Sequence, residues 1–306
     1  MRDPAAFREL SALLPGQVKA DEPMALHTTW RIGGPADIFV EPAGLEELAR
    51  AVTWVHRRGL PVYFIGNGSN LLVRDGGIRG VVVKIGRGLS WHRVGETTIV
   101  AGAGMGLGTL AALAQAGGIG GFEFSPGIPG TVGGAVVMNA GANGSCMADL
   151  VQEVLVMNRA GELERLPAAS LQFGYRTSSL LGGSLVVVEV TCRGVKKDPA
   201  SIAREMKRYL ERRRATQPLS YPSAGSVFKN PPQHAAGWLI ERAGCKGLRE
   251  GDAQVSLVHA NFIVNLGRAT ARDVESLIRQ VQQRVYLQFG ILLNLEVQIL
   301  GEEEAG

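Results

Sequence analysis

Two spacings of apolar residues alternate along the chain. Apolar positions three or four residues apart share one face of a helix, whereas short apolar or alternating runs are typical of strands. The first spacing predicts helices over 44–58, 107–115, 201–214 and 236–243, and a helix that starts at Thr270. The second predicts strands over 62–65, 81–85, 97–101, 150–157, 162–166, 184–193, 261–265 and 291–300. Helices and strands mixed in this way predict an α+β fold.

The same pattern suggests how the chain is divided. A turn-forming stretch with Lys196, Asp198 and Pro199 closes the second group of strands, and an amphipathic helix follows it. A length of 306 residues is about twice a typical domain length of ~150. We expect three parts, which cover residues 1–90, 91–200 and 201–306.

Composition and charge narrow the class of protein. Hydrophobic residues make up 45% and charged residues 20% of the chain, which is ordinary for a compact folded protein. The net charge of +4 falls short of a nucleic-acid-binding surface but is compatible with a small anionic ligand. The cysteines and histidines lie far apart, and the N-terminus lacks the apolar core of a signal peptide. We therefore expect a cytoplasmic protein without disulfides, a metal site or a membrane segment.

Glycine is over-represented, and its distribution suggests a ligand. It accounts for 41 of 306 residues, nearly twice the usual share of about 7%. Two uncharged glycine-rich loops cover 66–70, directly after a predicted strand, and 127–134, shortly before 138–141. Backbone N–H groups in such loops can bind phosphate. Either loop alone is equally well explained as an ordinary turn, but the two together favour a dinucleotide.

A third glycine pattern is a poor match to a Rossmann dinucleotide site. The run Gly106–Ala111 fits G-x-G-x-x-G/A, but such a site also needs an acidic residue about 20 positions further on, at the end of a second strand. Glu123 is the nearby acidic residue, and it follows a Gly-Gly turn instead. A phosphate-binding G-x-x-x-x-G-K-[ST] loop does not occur in the sequence.

Eight short motifs follow one another over almost the whole chain. They are Thr29–Ala36, Gly66–Asn70, Pro126–Ala135, Met138–Ala142, Gly174–Arg176, Ala224–Pro231, His259–Asn265 and Leu295–Val297. In this order and spacing they resemble the motifs of the UDP-N-acetylenolpyruvoylglucosamine reductase family. Any one of them could arise by chance, whereas eight in sequence are highly specific.

The resemblance implies a fold and a reaction. Residues 1–90 and 91–200 would form the two parts of an FAD-binding domain of the vanillyl-alcohol-oxidase (PCMH) type, and 201–306 a smaller α+β substrate domain. The protein would be a cytoplasmic monomer that binds FAD noncovalently and uses NADPH, with neither nucleic acid nor membrane as a partner. It would reduce the enolpyruvyl group of a UDP-sugar, UDP-N-acetylglucosamine enolpyruvate, to UDP-N-acetylmuramate for peptidoglycan synthesis. The short stretch between Arg176 and Ser226 resembles the subclass that lacks an inserted tyrosine-bearing loop.

The resemblance also implies roles for individual residues. A hydride would pass from reduced FAD to the terminal enolpyruvyl carbon, and Ser226 would donate a proton to the α-carbon. Arg176 and Glu296 would stabilise the enolic intermediate, because developing negative charge needs a cation or a proton donor nearby. The expected substrate contacts are Tyr175, Lys229 and Asn230. The expected FAD-binding residues are Gly66, Asn67, Gly68, Ser69, Asn70, Gly127, Ile128, Pro129, Gly130, Thr131, Gly133, Gly134, Asn139, Ala140 and Gly141.

Without the resemblance, the three catalytic candidates have plainer explanations. Arg176 is explained as a surface arginine, and Ser226 as a hydroxyl that satisfies a turn. In a strand over 291–300, Glu296 shares a solvated face with Asn294 and Gln298. The motif match is what favours the catalytic interpretation.

Three further alternatives stay open at this stage. The basic residues of 201–214 fit a solvated helix face, or else a patch that binds a polyanion. The protein could be another flavin oxidase or dehydrogenase of the same fold, which acts on an alcohol or a hydroxy acid. It could also be a binding module that holds the nucleotide without catalysis.

Overall fold

A computed structural model describes residues 3–304 of the chain. The helices are α1 (Pro4–Leu13), α2 (Leu45–Arg57), α3 (Leu107–Ala116), α4 (Val132–Val137), α5 (Pro199–Thr216), α6 (Ala236–Arg242) and α7 (Ala271–Phe289). The strands are β1 (Val18–Pro23), β2 (Pro35–Val40), β3 (Val62–Ile65), β4 (Leu71–Val73), β5 (Ile78–Lys84), β6 (His92–Val94), β7 (Thr98–Gly102), β8 (Ile119–Gly120), β9 (Gly141–Ala142), β10 (Ser145–Cys146), β11 (Val151–Met157), β12 (Leu163–Pro167), β13 (Val186–Arg193), β14 (Val195–Lys196), β15 (Arg249–Glu250), β16 (Ala253–Val255), β17 (Ile263–Asn265) and β18 (Gln298–Leu300). Short 3₁₀ helices occupy Met24–His27, Arg87–Leu89, Met147–Asp149 and Ala168–Leu171. The mixed α+β character predicted from the apolar spacing is confirmed.

The chain separates into two compact units. Unit 1 comprises Met1–Ala20, Ile38–Asn67 and Gly80–Arg213, and unit 2 comprises Asp21–Asp37, Gly68–Arg79 and Arg214–Gly306, in each case as far as residues 3–304 extend. Neither unit is continuous in sequence, because the chain passes between them within β1, β2, β5 and α5 and once between β3 and β4. The three-part division at 90 and 200 remains a prediction, and its outermost limits, residues 1 and 306, lie outside the described residues.

Unit 1 is built around an antiparallel sheet. Its strand order is β12-β11-β13-β7-β6, and α4 packs against the central strand β13. A second sheet has the order β1-β2-β5-β3, in which β3 and β5 run parallel. Valines such as Val154 and Val190 are fully buried between the strands and the helices, together with Leu48 of α2 and Leu110 of α3. The connections of this core carry the 127–134 loop and the first two residues, Gly66 and Asn67, of the other glycine-rich loop.

Unit 2 has a smaller core of its own. Strands β15, β16 and β17 form an antiparallel sheet on which α7 packs, and α6 packs on α7. Helix α7 has clear end signals: the Thr270 hydroxyl and the Asp273 carboxylate form a capping box, and Gly290 ends the helix at φ 67°. Strands β18 and β4 pair in parallel, so the last strand of the chain joins a segment more than 200 residues earlier. Trp30 and Leu277 lie fully buried in this core.

Three sequence predictions need correction. The strand predicted over 291–300 is regular only from Gln298 to Leu300, because 291–297 forms one bridge, between Leu295 and Phe228, rather than a continuous ladder. Its apolar alternation is nevertheless real, since Leu293 and Val297 are buried. The strand predicted over 261–265 begins at Ile263, two residues later than expected. Several elements were not predicted, because each is short or carries too few apolar residues for a clear period: helices α1 and α4 and strands β1, β2, β4, β6, β8, β9, β10, β14, β15 and β16.

Candidate functional site

The two predicted FAD loops meet within unit 1. Strand β3 ends at Ile65, and a Cβ placed on Gly66 would lie 2.4 Å from Oγ1 of Thr131. The Asn67 side chain donates a hydrogen bond from Nδ2 to the carbonyl of Pro129 at 3.0 Å. Only glycine allows the backbone at residue 66 to approach Thr131 this closely. The structure thus brings together two loops that lie about sixty residues apart in the chain.

Most of the N–H groups in the 127–134 loop are already used by the protein. The N–H groups of Val132 and Gly133 donate to Met105 and Ala103, and that of Gly134 donates to the Thr131 hydroxyl at 3.3 Å. The Ile128 N–H donates to Ser125. Among the described residues of unit 1, the N–H groups of Gly127, Gly130 and Thr131 have no such acceptor. The phosphate-binding capacity predicted for the whole loop is therefore concentrated at these three positions.

A third loop supports the turn that contains Arg176. Asn139, which is buried at φ 44°, donates from Nδ2 to the carbonyl of Gly174 at 2.9 Å and accepts a hydrogen bond from the N–H of Ala148. Arg176 in turn donates from Nη2 to the carbonyl of Gly141 at 2.8 Å. Ala140 is tied by its own backbone to Ala135 and Met147. Predicted FAD-binding and catalytic residues thus share one hydrogen-bonded cluster in unit 1.

Arg176 itself has an unusual backbone. Its φ of 55° lies in the left-handed region, and Gly174 and Thr177 close the turn around it with two backbone hydrogen bonds. Its guanidinium carbon lies 5.1 Å from the ring centroid of Tyr175, which is 52% exposed. A non-glycine residue in this region costs roughly 1–3 kcal/mol and persists only where its surroundings hold it, often at functional sites. The half-buried guanidinium is therefore held in place rather than free on the surface.

Arg213 was not predicted as a site residue. A Cβ placed on Gly127 would lie 2.9 Å from Cδ of Arg213, so this side chain packs against the second glycine loop. Burial lowers the pKa of the Arg213 guanidinium, and no carboxylate in the described part of unit 1 pairs with it. The sequence could have indicated its burial, because Arg213 lies on the same face of α5 as the buried Ile202 and Met206. The other basic residues of 201–214 are exposed, as expected for a solvated helix face, whereas Arg213 is half-buried.

Ser226 and Glu296 belong to unit 2, where a short backbone pairing connects their segments. Gly225 has a φ of 75°, and the chain then extends past Ser226 to Val227, whose carbonyl accepts a hydrogen bond from the Glu296 N–H at 2.8 Å. The N–H of Lys229 donates to the Asn294 carbonyl at 2.8 Å. The side chains of Ser226 and Glu296 are both half-buried. The solvated strand face suggested for Glu296 is therefore not what the structure shows.

The second half of the first glycine loop also lies in unit 2. Gly68 is buried at φ 61°, and a Cβ there would lie 2.0 Å from the carbonyl oxygen of His27. Ser69 is half-buried, and Asn70 donates from Nδ2 to the carbonyl of Glu296 at 2.9 Å. Asn70 was predicted as an FAD ligand, and in the structure its amide holds the backbone of Glu296. Whether it also contacts a cofactor stays a prediction.

Asn230 has a structural partner too. Its Oδ1 accepts a hydrogen bond from the N–H of Ala236 at 2.9 Å, at the first residue of α6. The predicted site residues thus fall into two groups. In unit 1 the structure brings together Gly66, Asn67, the 127–134 loop, Asn139–Gly141, Tyr175 and Arg176. In unit 2 it brings together Asn70, Ser226, Lys229 and Glu296.

Comparisons with known proteins identify the family. Residues 36–167 match the FAD binding domain family, and 217–300 match the C-terminal domain of UDP-N-acetylenolpyruvoylglucosamine reductase. A reductase of that name from Desulforamulus reducens is 50% identical over 96% of this chain and 97% of its own length. The chain belongs to the UDP-N-acetylenolpyruvoylglucosamine reductase family. A family member from Moorella thermoacetica is 48% identical, again over 96% of this chain and 97% of the relative.

Solved structures agree with this assignment. The UDP-N-acetylenolpyruvylglucosamine reductase of Thermus caldophilus superimposes with a TM-score of 0.80 at 38% identity, and the match covers 91% of this chain and 97% of that one. Alkyldihydroxyacetonephosphate synthase, at 20% identity and a TM-score of 0.50, shares the fold over 64% of this chain. The family resemblance, the FAD-binding fold class and the oxidoreductase class expected from the sequence are confirmed. None of the helices between residues 3 and 304 combines enough length and apolar character to cross a membrane.

Proposed function

We propose that this family member reduces the enolpyruvyl group of UDP-N-acetylglucosamine enolpyruvate to UDP-N-acetylmuramate, with NADPH as the electron donor. The observation that carries the proposal is the match to reductases of that name along almost the entire chain, at up to 50% identity. The UDP-sugar and NADPH are small anionic partners, which is compatible with the net charge of +4. We place the protein in the cytoplasm as a monomer, a setting that suits its three free thiols.

The residues of unit 1 fit a bound dinucleotide. The Gly130 and Thr131 N–H groups and the half-buried Arg213 beside Gly127 supply donors and a positive charge for a diphosphate. The loop 127–134 carries no charged side chain that would repel it. FAD, held noncovalently there, would supply the hydride that no amino-acid side chain can store. The remaining predicted contacts in 66–70 and 139–141 would shape the surrounding backbone.

Arg176 would bind the substrate carboxylate. Reduction of an enolpyruvyl group places negative charge on the α-carbon and the carboxylate oxygens, and that charge needs a fixed cation. A guanidinium can offer a carboxylate two parallel hydrogen bonds. One Nη of Arg176 is already bound to Gly141, which fixes the plane of the group before the substrate arrives. Tyr175, stacked on the guanidinium, would lie against the substrate as well.

Ser226 and Glu296 would complete the reaction. Ser226 would donate the proton that the α-carbon needs, which requires its hydroxyl within about 3 Å of that carbon. Glu296 would share with Arg176 the task of stabilising the enolic intermediate. The backbone bond between Glu296 and Val227 keeps the two segments in a fixed register. Lys229 and Asn230 would contact the substrate, the first as a cation for its diphosphate.

A two-step spectroscopic experiment tests the proposal. The purified protein should show the absorption of oxidised flavin in the blue, and NADPH without oxygen should bleach it. Addition of UDP-N-acetylglucosamine enolpyruvate should then restore the colour with formation of UDP-N-acetylmuramate. A colourless protein that cannot be reconstituted with FAD would instead indicate a binding module without flavin chemistry. A bleached flavin that only an alcohol-derived or hydroxy-acid-derived acceptor reoxidises would indicate a different flavoenzyme of the same fold.

A further inference from the structure

Asn261 forms an unusually complete set of bonds to the segment that follows Ser226. Its side chain is almost fully buried, at 3% exposure. Oδ1 accepts a hydrogen bond from the Phe228 N–H at 2.9 Å, and Nδ2 donates to the Phe228 carbonyl at 2.8 Å. The Asn261 carbonyl also accepts a hydrogen bond from the Val227 N–H at 2.9 Å. A carboxamide in this position takes the place of a neighbouring strand, because it offers one donor and one acceptor to the same residue.

The opposite side of the same segment is bound to Glu296. The Val227 carbonyl accepts a hydrogen bond from the Glu296 N–H at 2.8 Å, and Phe228 forms an antiparallel bridge with Leu295. Val227 and Phe228 therefore lie between Asn261 on one side and the Glu296 segment on the other. Ser226 is covalently joined to Val227, so its position depends on both contacts.

We propose that Asn261 is a positioning residue that sets where Ser226 lies relative to Glu296, an inference that rests on the proposed function. Loss of its side chain would leave the N–H and carbonyl of Phe228, itself 2% exposed, without partners. The segment would then shift to find new ones. A displacement of about 1 Å at a reacting group can cost a factor of about 10² in rate.

Asn265 provides a matched control in the same unit. It is also 3% exposed, and its amide bonds the Trp30 carbonyl and the N–H groups of Gly267 and Ala269. None of these partners adjoins Ser226 in sequence. If the buried amide of Asn261 had only a structural role, its replacement by alanine should affect the two flavin half-reactions in the same way as the replacement of Asn265.

The test compares the flavin half-reactions of the FAD-loaded Asn261→Ala and Asn265→Ala variants by stopped flow. For Asn261→Ala we expect reoxidation by the UDP-sugar to slow about 100-fold, while reduction by NADPH changes less than about threefold. The solvent deuterium isotope effect on reoxidation should also rise, because proton donation becomes slower. Asn265→Ala should lower the thermal midpoint and leave the ratio of the two half-reactions unchanged. Equal slowing of both half-reactions, or the same pattern in both variants, would overturn the proposal.

Two further variants keep the test decisive. If Asn261 acts through Ser226, the double variant Asn261→Ala/Ser226→Ala should be no slower than Ser226→Ala alone, whereas additive losses would refute that link.

Should the alanine variant fail to fold, Asn261→Asp keeps the shape, and its protonated form restores both bonds to Phe228. Reoxidation by this variant should recover as the pH falls from about 8 to about 6, because burial raises the pKa of a carboxyl. No recovery in a folded Asn261→Asp protein contradicts the proposal. A wild-type protein that leaves the UDP-sugar unchanged would instead overturn the proposed function together with this role.

Discussion

Arg176 in unit 1 and the Ser226–Glu296 pair in unit 2 are held by different physical means. Arg176 occupies a left-handed backbone conformation that the side chain of Asn139 supports through the carbonyl of Gly174. Ser226 and Glu296 lie on irregular segments that are paired through the backbone of Val227. The turn stores strain of roughly 1–3 kcal/mol, whereas the pairing gains hydrogen bonds of about 1 kcal/mol each. Substitutions in the turn should therefore act on the guanidinium itself, and those in unit 2 on the spacing of two groups.

Ser226→Ala should have the largest effect. A positioned proton donor contributes a factor of about 10² to 10⁴, so flavin reoxidation by the UDP-sugar should slow by that amount while reduction by NADPH stays nearly normal. Stopped-flow measurement of both half-reactions checks this. Ser223→Ala, in the same loop, is the control and should behave like the wild type. Reoxidation of the Ser226 variant at the wild-type rate would remove this residue from the mechanism.

Arg176→Lys should have the next largest effect. Lysine keeps the charge but not the planar pair of donors, and loss of one such donor costs about 10² to 10³ in kcat. Steady-state kinetics with the UDP-sugar, together with the reoxidation rate, measure this loss. Arg165→Lys is the matched change at a half-exposed arginine of unit 1 that pairs with Glu153 and Glu189, and it should leave kcat within about twofold. If both variants were equally active, the carboxylate-binding role of Arg176 would be wrong.

Arg213→Gln should weaken cofactor binding rather than catalysis. A hydrogen bond to a charged group contributes about 1.5–3 kcal/mol, so the dissociation constant for FAD should rise roughly 10- to 100-fold. Titration of the FAD-free protein with FAD, followed by flavin fluorescence, gives this constant. Arg214→Gln, one position further along α5 and exposed, should change it little. An unchanged dissociation constant for the Arg213 variant would mean that its charge serves another purpose.

A substitution of His259, in unit 2, should have the smallest effect, and that effect should be on the pH dependence of stability. Its Nδ1 accepts a hydrogen bond from the Asn261 N–H at 3.2 Å, which requires a neutral ring. Burial and the nearby Lys246 lower the pKa of His259, against a smaller opposing effect of Glu241. A lowered folded-state pKa stabilises the fold fully above the unfolded value of about 6.5, and this contribution is lost as the pH falls through the folded value.

The slope of stability against pH measures this contribution. His259→Gln should flatten the decrease in the free energy of unfolding between about pH 7 and pH 5. His56→Gln, at an exposed position of α2, should leave that slope as it is in the wild type. Denaturant titrations at several pH values give both slopes. A His259 variant with an unaltered slope would show that the ring does not titrate in the way the contacts suggest.

The sequence predicts the parts of the fold that have a strong period. Helices α2 and α7 repeat apolar residues over three turns or more, and the inner strands β7, β11 and β13 of the sheet in unit 1 are rich in valine and other apolar residues, so each of these elements was predicted to within a few residues. The polar edge strand β6 was not predicted. For the segment 291–297 the same reasoning gives a wrong prediction. Its apolar residues alternate as in a strand, but it pairs only locally with Val227, Phe228 and Lys229. How many backbone hydrogen bonds a segment forms with a neighbour cannot be deduced from its own residue pattern.

The site shows the same limit. Motifs pointed to Arg176, Ser226 and Glu296, but not to the bonds that hold them. The glycine-rich loop around Asn70 predicts a cofactor ligand, whereas the structure shows that its amide hydrogen-bonds the carbonyl of Glu296, 226 residues further along the chain. Arg213 lies in a run of exposed basic residues. It differs from them in the sequence only because it shares a face of α5 with Ile202 and Met206. Long-range hydrogen bonds and the burial of one residue in a charged run need coordinates.

The parallel pairing of β18 with β4 affects how the protein is made. Residues 71–73 leave the ribosome long before residues 298–300 exist. At about 5–20 amino acids added per second, the delay is roughly ten to forty seconds. During that time Trp30, Ile32 and Leu72 have no finished core to enter. In a newly made chain these apolar side chains must therefore be protected from aggregation. A chain truncated before residue 298 would lack β18, and the core of unit 2 could not form completely.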